Sequence, residues 1–321
     1  MGSGMSLTQG QMASISIQAA EYFQKLPRTP FADFLAPFIT SPRRIPSFRA
    51  RFAKIQKPIE EAIISKHNLE LKHITIADIP VVVIGPPIIE SRNAEKIILN
   101  IHGGGFVLGS ARDRTGLLMA AEMGIRVYSI EYSLSPEARY PVARDQCLAV
   151  YRQLVQLFQP QNIIGMSSSS GCQLMLSMLL LAQREKLPMM ACQFLCTPAA
   201  DLSGAGDSLV ANSTRDLMPT SYLLAMVRQN YPCDIDSRDP HYSPLYAEYD
   251  RTFPPSVITV GTRDSLLSTG VLLYWKLRDA GVKVELLVTE GMWHGFDWEE
   301  EIPEAIRVRA AVRAFLLDYA A

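Results

Sequence analysis

From residue 71 onward, short apolar runs alternate with longer segments in which apolar residues recur at helical spacing. The run at residues 96–101 is nearly continuous, which is typical of a strand buried on both faces. Parallel strands need a crossover connection, usually a helix, so the alternation predicts a mostly parallel sheet with helices on both faces. The predicted strands cover residues 73–76, 81–84, 96–101, 126–131, 162–166, 191–195, 256–260 and 282–289. The predicted helices cover residues 112–123, 170–184, 266–279 and 302–317, and one more opens at Pro141.

Two stretches depart from this alternation. Residues 6–70 show no strand pattern and consist of helical segments that prolines interrupt. Residues 202–246 fall between two predicted strands and also carry helical patterns only. We therefore predict an N-terminal helical cap segment over 1–50 and a catalytic domain over 51–321, with a cap insertion at about 202–246. The prolines expected to break the first stretch are Pro27, Pro30, Pro37, Pro42, Pro46 and Pro58.

The charge balance excludes two classes of partner. There are 31 Lys and Arg residues against 32 Asp and Glu residues, and the net charge of −1 is neither the basic surplus of a nucleic-acid binder nor an acidic surplus that attracts polycations. Hydrophobic residues make up 48% of the chain, enough to bury a sizeable core. The longest apolar run, near residues 179–181, is far too short to span a bilayer.

The cysteines and the first residues of the chain indicate the cellular compartment of the protein. The cysteine count of 5 is odd, and four of the five lie in apolar or periodic segments, which favours reduced thiols in the core. The first residues lack the charged stretch and apolar core of a secretory signal peptide. We expect a cytoplasmic protein. The cysteines are Cys147, Cys172, Cys192, Cys196 and Cys233.

A run of four serines and a glycine, residues 167–171, separates a predicted strand from a predicted helix. A tight strand–turn–helix connection with small residues on both sides of a serine is the pattern of a nucleophile elbow, usually G-x-S-x-G. Ser169 as the central serine puts Ser167 and Gly171 at the crowded positions. Ser167 as the central serine puts Gly165 and Ser169 there. We favour Ser169, because it leaves a longer strand before the turn; a polar loop at a helix N-terminus is the alternative.

His102, Gly103, Gly104 and Gly105 follow directly after a buried strand. Three glycines in a row let backbone N–H groups point into a cavity without a Cβ in the way. Such donors, together with the N–H of the residue after the nucleophile, Ser170, can stabilise the oxyanion of a tetrahedral intermediate. The nucleotide-binding patterns GxGxxG and GxxxxGK[ST] are absent, which argues against a phosphate loop.

Asp264 and His294 each follow the end of a predicted strand. They are separated by 30 positions, which hold one predicted helix and one predicted strand, so both side chains should reach the same sheet edge as Ser169. The order serine, aspartate, histidine is the one expected of an α/β-hydrolase triad. A helix N-cap is the alternative role for Asp264, and a hydrogen-bonded loop residue is the alternative for His294. The His-Glu-x-x-His pattern is absent, and we predict neither a metal nor a cofactor.

Several stretches resemble signatures of the hormone-sensitive-lipase-like group of α/β hydrolases, which includes many bacterial esterases. The resemblance spans roughly residues 70–318. Where the family has G-D-S-A-G-G-N-L, this chain has SSSSGCQL, and where the family has D-P-L, it has Asp264-Ser265-Leu266. The other matching stretches are HGGGFVLGS at 102–110, EYSLSPE at 131–137, Tyr140-Pro141, DPHYSPLY at 239–246 and His294-Gly295-Phe296.

The resemblance implies an α/β-hydrolase fold with a helical cap and a serine carboxylesterase acting on short- to medium-chain esters. It implies Ser169, Asp264 and His294 as the triad, and it assigns the oxyanion donors to Gly104 and Gly105 with Ser170. His102, Gly103 and Gly171 would support that geometry. It also implies a small-molecule ester as substrate and a homodimer. The residues offered as lining of the acyl pocket, or equally as core of the cap, are Met12, Phe31, Phe34, Phe38, Leu217 and Tyr222.

The resemblance leaves other functions open. A lactone hydrolase or an amidase could use the same triad, because the choice depends on pocket shape. A non-catalytic ligand-binding member of the fold is a further alternative, and the presence of His294 argues against it. Ser167 and Ser168 replace the Gly-Asp of the family's elbow, which bears on rate and substrate more than on mechanism.

Overall fold

A computed structural model describes residues 7–25, 33–232 and 234–320. Eight strands form a single sheet in the order β1-β2-β4-β3-β5-β6-β7-β8. The first strand pairs antiparallel with the second, the second pairs antiparallel with the fourth, and every other pairing is parallel. The strands are β1 Glu70–Ile76, β2 Ile79–Gly85, β3 Ile97–Ile101, β4 Arg126–Ile130, β5 Ile163–Ser168, β6 Cys192–Cys196, β7 Ser256–Gly261 and β8 Val284–Thr289.

Helices cover both faces of the sheet, so the predicted architecture is confirmed. The middle strands alternate between two cores: Leu99 and Ile101 of β3 pack into one, and Ile98 between them packs into the other. The α-helices in the described residues are α1 Gln9–Ala13, α2 Ile17–Lys25, α3 Ala36–Ile39, α4 Ile45–His67, α5 Arg114–Met123, α6 Val142–Leu157, α7 Ser170–Arg184, α8 Ser208–Ala211, α9 Thr220–Asn230, α10 Leu267–Asp279 and α11 Pro303–Tyr319.

One prediction about the N-terminal region is wrong. Pro58 was expected to break the helical pattern, yet it lies inside the 23-residue helix α4. Both ends of α4 are anchored, because Ile45 is buried in a cluster beneath the cap and Ile63 is buried in one of the two main cores. Packing at both ends outweighs the one backbone hydrogen bond that a proline removes. The chain thus passes from cap to core within one helix, and the domain boundary near residue 50 stays a prediction.

Helices α3 and α4 from the N-terminal region pack with α9 from the 202–246 insertion. The Asn230 amide donates to Thr40 O at 2.8 Å, and the Gln229 amide donates to Pro37 O at 3.0 Å. An apolar cluster joins α4 and α9 to the loop that follows β3. This cap lies over the carboxyl edge of the parallel strands, where open α/β sheets bind ligands. The cluster consists of Ile45, Phe48, Phe52, Val107, Leu108, Leu223 and Met226.

Candidate active site

Ser169 occupies a sharp turn between β5 and α7. Its backbone has φ 50° and ψ −119°, a conformation that an L-residue with a side chain rarely adopts. Gly171 allows the turn to pack tightly, since a Cβ there would lie 2.2 Å from Ile101 O on the neighbouring strand. Ser167 is fully buried within β5, between β3 and β6. Of the two serines considered from the sequence, the structure therefore places Ser169 in the turn.

Three side chains from three strand ends converge at this turn. His294 Nε2 lies 3.1 Å from Ser169 Oγ, and His294 Nδ1 lies 3.0 Å from Asp264 Oδ1. Asp264 follows β7 and is fully buried, and its Oδ1 also accepts a hydrogen bond from the backbone N–H of Leu266 at 2.7 Å. The arrangement is a serine, an imidazole and a carboxylate in contact, in the order required for nucleophilic catalysis.

Two neighbouring loops are locked together so that Asp264 and His294 meet. The backbone N–H of Arg263 donates to Met292 O at 2.9 Å, and the N–H of Gly291 donates to Thr262 Oγ1 at 2.8 Å. Gly261, at the end of β7, lies so close to the loop after β8 that a Cβ on this residue would be 2.2 Å from Met292 O. The loops after β7 and β8 thus behave as one unit, which fixes the imidazole relative to the carboxylate.

The environment of His294 favours its protonated form. Burial by itself lowers the pKa of His294, but the charge and hydrogen bond of Asp264, with the charges of Asp216 and Asp297, raise the pKa above its ordinary value of 6.5. Burial, followed by the charge of Asp264, raises the pKa of the Asp216 carboxyl to about 6. Burial likewise raises the pKa of Asp297 to about 6. An imidazolium formed during a reaction would therefore be stabilised by nearby carboxylates.

The glycine loop after β3 faces the same turn. Gly104 and Gly105 have φ 116° and 61°, and the loop turns back on itself because Gly104 O accepts hydrogen bonds from the N–H groups of Val107 and Leu108. In the described part of the chain, the N–H groups of Gly104, Gly105 and Ser170 donate to no protein acceptor. These three N–H groups are consequently not engaged by the protein, and Gly104 and Gly105 line a cavity that opens over Ser169.

The histidine before the glycines supports the loop from below. His102 is fully buried, and burial lowers its pKa to about 4, so that its ring is neutral near pH 7. Its Nδ1 lies 2.8 Å from Gly103 O, and its ring stacks on Tyr132, with 4.2 Å between centroids. The Tyr132 hydroxyl donates to His102 O at 2.9 Å. Gly103 packs against the elbow, where a Cβ would lie 2.9 Å from Ser168 O.

Comparison with known proteins identifies the family of this chain. Residues 98–297 match a family model described as alpha/beta hydrolase fold. The chain is 32% identical to an esterase of Acinetobacter venetianus over 72% of its own length and 78% of that protein's length. The chain belongs to the hormone-sensitive-lipase-like esterases. It is also 30% identical to an ethyl acetate hydrolase of Pseudomonas putida, over 68% of this chain and 71% of the relative. Its family identifies it as a carboxylic ester hydrolase, as predicted.

Solved structures of the group share this fold. The crystal structure of one esterase superposes with a TM-score of 0.88 at 29% identity and covers 100% of this chain and 98% of that one. A hormone-sensitive lipase from a metagenome library superposes with a TM-score of 0.72 at 25% identity, covering 87% of this chain and 99% of the other. The resemblance inferred from the sequence motifs is confirmed.

The cavity of this esterase opens directly over Ser169. It has a volume of about 360 Å³ and is lined by Ser169, His294 and the glycine loop below and by cap residues above. A second cavity of about 620 Å³ adjoins it, and residues such as Phe52 and Trp298 line both. The Ser169 hydroxyl and the His294 imidazole therefore face a partly open cavity beneath the cap.

The cap residues offered from the sequence divide into two groups. Leu217 and Tyr222 line the cavity over Ser169. Phe34 and Phe38 are 80% and 58% exposed, so their side chains do not form the pocket wall. Met12 is 39% exposed and does not line the cavity, and Phe31 lies outside the described residues.

Sequence reasoning missed two residues of the site, Thr197 and Asp216. Thr197 directly follows β6, and its hydroxyl contacts both Asp264 and His294. Asp216 comes from the cap insertion, and its carboxylate accepts the backbone N–H groups of His294 at 3.0 Å and Ser265 at 2.7 Å. A polar residue at the end of the strand beside β5 was an available signal for Thr197. Asp216 offered none, because it follows no strand.

Among the described residues, the one cluster with metal-ligand side chains is Asp216, Asp264 and His294, whose ligand atoms lie within 4.8 Å of one another. The Asp216 oxygens accept backbone N–H groups, and the Asp264 oxygens accept Leu266 N–H and the Thr197 hydroxyl. The oxygens of both carboxylates are thus already engaged by protein hydrogen-bond donors, and His294 Nδ1 contacts Asp264 Oδ1. Of the helices in the described ranges, none combines the length and the apolar run that a bilayer crossing demands.

Proposed function

We propose that this chain hydrolyses short- to medium-chain carboxylic esters through an acyl-enzyme, with Ser169 as nucleophile, His294 as general base and Asp264 as the carboxylate that orients it. The 3.1 Å contact between Ser169 Oγ and His294 Nε2 carries the proposal. It joins a serine in a strained turn to an imidazole whose other nitrogen is held by a buried carboxylate.

In the first half of the reaction, Ser169 Oγ attacks the ester carbonyl carbon while His294 Nε2 accepts the hydroxyl proton. Asp264 stabilises the imidazolium through its 3.0 Å contact with Nδ1. The carbonyl oxygen, now an oxyanion, accepts hydrogen bonds from the backbone N–H groups of Gly104, Gly105 and Ser170. The intermediate then collapses, and His294 protonates the departing alcohol.

In the second half, water takes the place of the alcohol. His294 Nε2 accepts a proton from the water as it attacks the acyl-enzyme carbonyl carbon. The same backbone donors stabilise the second oxyanion. Collapse returns the proton from His294 to Ser169 Oγ and releases the carboxylic acid, which restores the starting state.

Short acyl groups are favoured by the size of the cavity over Ser169. Its volume of about 360 Å³ is near the lower end of the range of about 300–1,000 Å³ for ligand pockets. The adjoining cavity leaves room for a longer alcohol or acyl portion. The names of two relatives, an ethyl acetate hydrolase and an acetyl-hydrolase of Streptomyces hygroscopicus, fit small esters.

The test is hydrolysis of p-nitrophenyl esters from acetate to palmitate by the parent, Ser169→Ala and Ser167→Ala. We expect turnover to be fastest with short chains and to fall toward palmitate. Loss of a triad nucleophile costs about 10⁶ in kcat, so Ser169→Ala should be inactive. Ser167→Ala should stay active, because Ser167 lies within β5, away from the cavity. Activity that survives Ser169→Ala, or is lost with Ser167→Ala alone, would refute the assignment.

The same assay addresses the other functions. A parent that ignores the ester series but opens lactones or cleaves amides would have the proposed triad with a different pocket preference. A folded parent that turns over none of these substrates would be a binding member of the fold. The ester hypothesis is best supported, because relatives of this chain are named esterase and ethyl acetate hydrolase. Ser169, His294 and the glycine loop line one cavity, which favours catalysis over ligand binding alone.

We also propose that the enzyme forms a homodimer through the β8 edge of the sheet. Val288 on this edge strand is 46% exposed, and Trp275 and Leu272 on the adjacent helix α10 are 51% and 40% exposed. An unprotected apolar edge strand is a template for pairing with a second chain. Sedimentation should show a dimer for the parent and a monomer for Val288→Lys; a monomeric parent would exclude it.

A cytoplasmic location remains our proposal. Cys147, Cys172, Cys192 and Cys196 are free and buried, which fits a reducing compartment. Subcellular fractionation of the native source would test it, and recovery of the enzyme outside the cytoplasm would contradict it.

A further inference from the structure

Thr197 holds an unusual backbone position beside the elbow. It directly follows β6 and has φ 48°, a left-handed conformation that is unfavourable for a β-branched residue. Its N–H donates to Thr259 O at 2.8 Å, which fixes it against β7. Residues next to it are hydrogen-bonded to the turn at Ser169: Cys196 O accepts the Ser169 N–H at 2.9 Å, and the N–H of Ala199 donates to Ser169 O at 3.1 Å.

The hydroxyl of Thr197 sits between the carboxylate and the imidazole. Thr197 Oγ1 lies 2.5 Å from Asp264 Oδ2 and 2.6 Å from His294 Nδ1. The direct contact from His294 Nδ1 to Asp264 Oδ1 is longer, at 3.0 Å. All three side chains are buried. Thr197 thus makes the shorter of the two hydrogen bonds to the nitrogen that must be held during proton transfer.

The direction of each hydrogen bond follows from the protons available. An ionised carboxylate only accepts, so the single Thr197 proton goes to Asp264 Oδ2. The hydroxyl oxygen is then left with lone pairs only, and it accepts the proton on His294 Nδ1. That proton is shared between Thr197 Oγ1 and Asp264 Oδ1. With Nδ1 protonated, a neutral imidazole has its free lone pair on Nε2, which faces Ser169 Oγ.

We propose that Thr197 is a positioning residue of the active site, whose hydroxyl fixes the tautomer and the ring plane of His294 by bridging it to Asp264. This inference rests on the proposed serine mechanism. Thr197 touches neither substrate nor the reacting atoms; it acts through the two side chains that it joins. The strained backbone is the cost of bringing a hydroxyl to this point from the end of β6.

Three substitutions separate the hydroxyl from the other properties of Thr197. Thr197→Ser keeps the hydroxyl. Thr197→Val keeps the shape and the branch but has no hydroxyl. Thr197→Gly also lacks the hydroxyl, and it accepts the left-handed backbone without strain, so it should fold even if the valine variant does not.

We expect kcat for p-nitrophenyl butyrate to fall about 10²-fold in Thr197→Val and Thr197→Gly, the scale expected when a catalytic group is misplaced by about 1 Å. KM should stay within about 2-fold, since Thr197 does not line the cavity, and Thr197→Ser should keep kcat within about 3-fold. Circular dichroism at the assay temperature checks that each variant is folded. A purely structural role would lower the melting temperature without this split between kcat and KM.

Coupling to Asp264 provides the decisive comparison. If Thr197 acts through Asp264 and His294, Thr197→Gly should have little further effect on kcat in an Asp264→Asn background. Full activity in folded Thr197→Gly, equal losses in Thr197→Ser and Thr197→Gly, or an undiminished effect in the Asp264→Asn background would each overturn the proposal. Ser169→Ala, measured alongside, distinguishes a failure of the proposed serine mechanism from a failure of the proposed role of Thr197. An active Ser169→Ala refutes the serine mechanism, whereas an inactive Ser169→Ala with fully active Thr197→Gly refutes only the role of Thr197.

Discussion

Gly104→Ala should displace the backbone N–H groups of the glycine loop after β3 while leaving the fold intact. Gly104 has φ 116°, and a Cβ at this position would lie 2.2 Å from Leu108 O and 2.5 Å from Leu108 C. Contacts of this kind essentially never fall below 3.0 Å, so the loop must shift by at least the 0.8 Å between 2.2 and 3.0 Å. The obstacle is backbone, which cannot rotate away as a flexible side chain could.

A shift of that size moves the N–H groups of Gly104 and Gly105 off the developing oxyanion. Loss of one oxyanion donor costs about 2.7–4 kcal/mol of transition-state stabilisation, or about 10²–10³ in kcat. Because the donors bind the oxyanion more strongly than the ground-state carbonyl, the loss should fall on kcat and leave KM nearly unchanged.

The assay is steady-state hydrolysis of p-nitrophenyl acetate, with thermal unfolding followed in parallel. Gly204→Ala is a matched control, because Gly204 also has a positive φ, 91°, but a Cβ there meets nothing within 4 Å. It should show the strain of an alanine in this conformation and keep kcat within about 2-fold. Folded Gly104→Ala with kcat within about 3-fold of the parent would refute the reasoning, as would an equal loss in Gly204→Ala.

Three further results are expected. The acid limb of kcat/KM against pH should lie above 6.5, because neighbouring carboxylates raise the pKa of His294 and only its neutral form can accept a proton. The same pKa shift stabilises the folded protein. This stabilisation is fully present below pH 6.5 and is lost as the pH rises through the folded-state pKa, which urea unfolding at several pH values would reveal. Asp264→Asn should lower kcat about 10⁴-fold in a folded protein by favouring the wrong imidazole tautomer, and an unchanged kcat would exclude Asp264. Arg309→Met should lower the free energy of unfolding by about 3 kcal/mol, because buried Arg309 donates to Glu122 Oε1 at 2.8 Å and to Asp297 O at 2.7 Å; urea denaturation measures it, and a loss below about 1 kcal/mol would contradict it.

The main elements of the fold were predictable because each depends on short stretches of chain. A nearly continuous apolar run predicts a buried strand such as β3. Gly124 ends α5 with φ 64°, the left-handed conformation expected of a glycine at a helix C-terminus. Functional side chains at strand ends were predictable for the same reason, since parallel strands bring their carboxyl ends to one edge. Asp264 and His294 lie together at that edge, as the positions of their strands implied.

The amino-acid sequence by itself determined the order of strands and helices along the chain, the family, and those candidate site residues that follow strand ends in recognisable motifs, such as Asp264 and His294. Only the tertiary structure decided which of Ser167 and Ser169 meets His294, because both serines satisfy the spacing of an elbow and only the turn brings one hydroxyl to the imidazole. It also decided that Thr197 bridges Asp264 and His294 across 67 and 97 residues of chain. Periodicity describes neighbours along the chain, whereas such contacts depend on how separate strand ends pack side by side and on the direction in which each side chain then points.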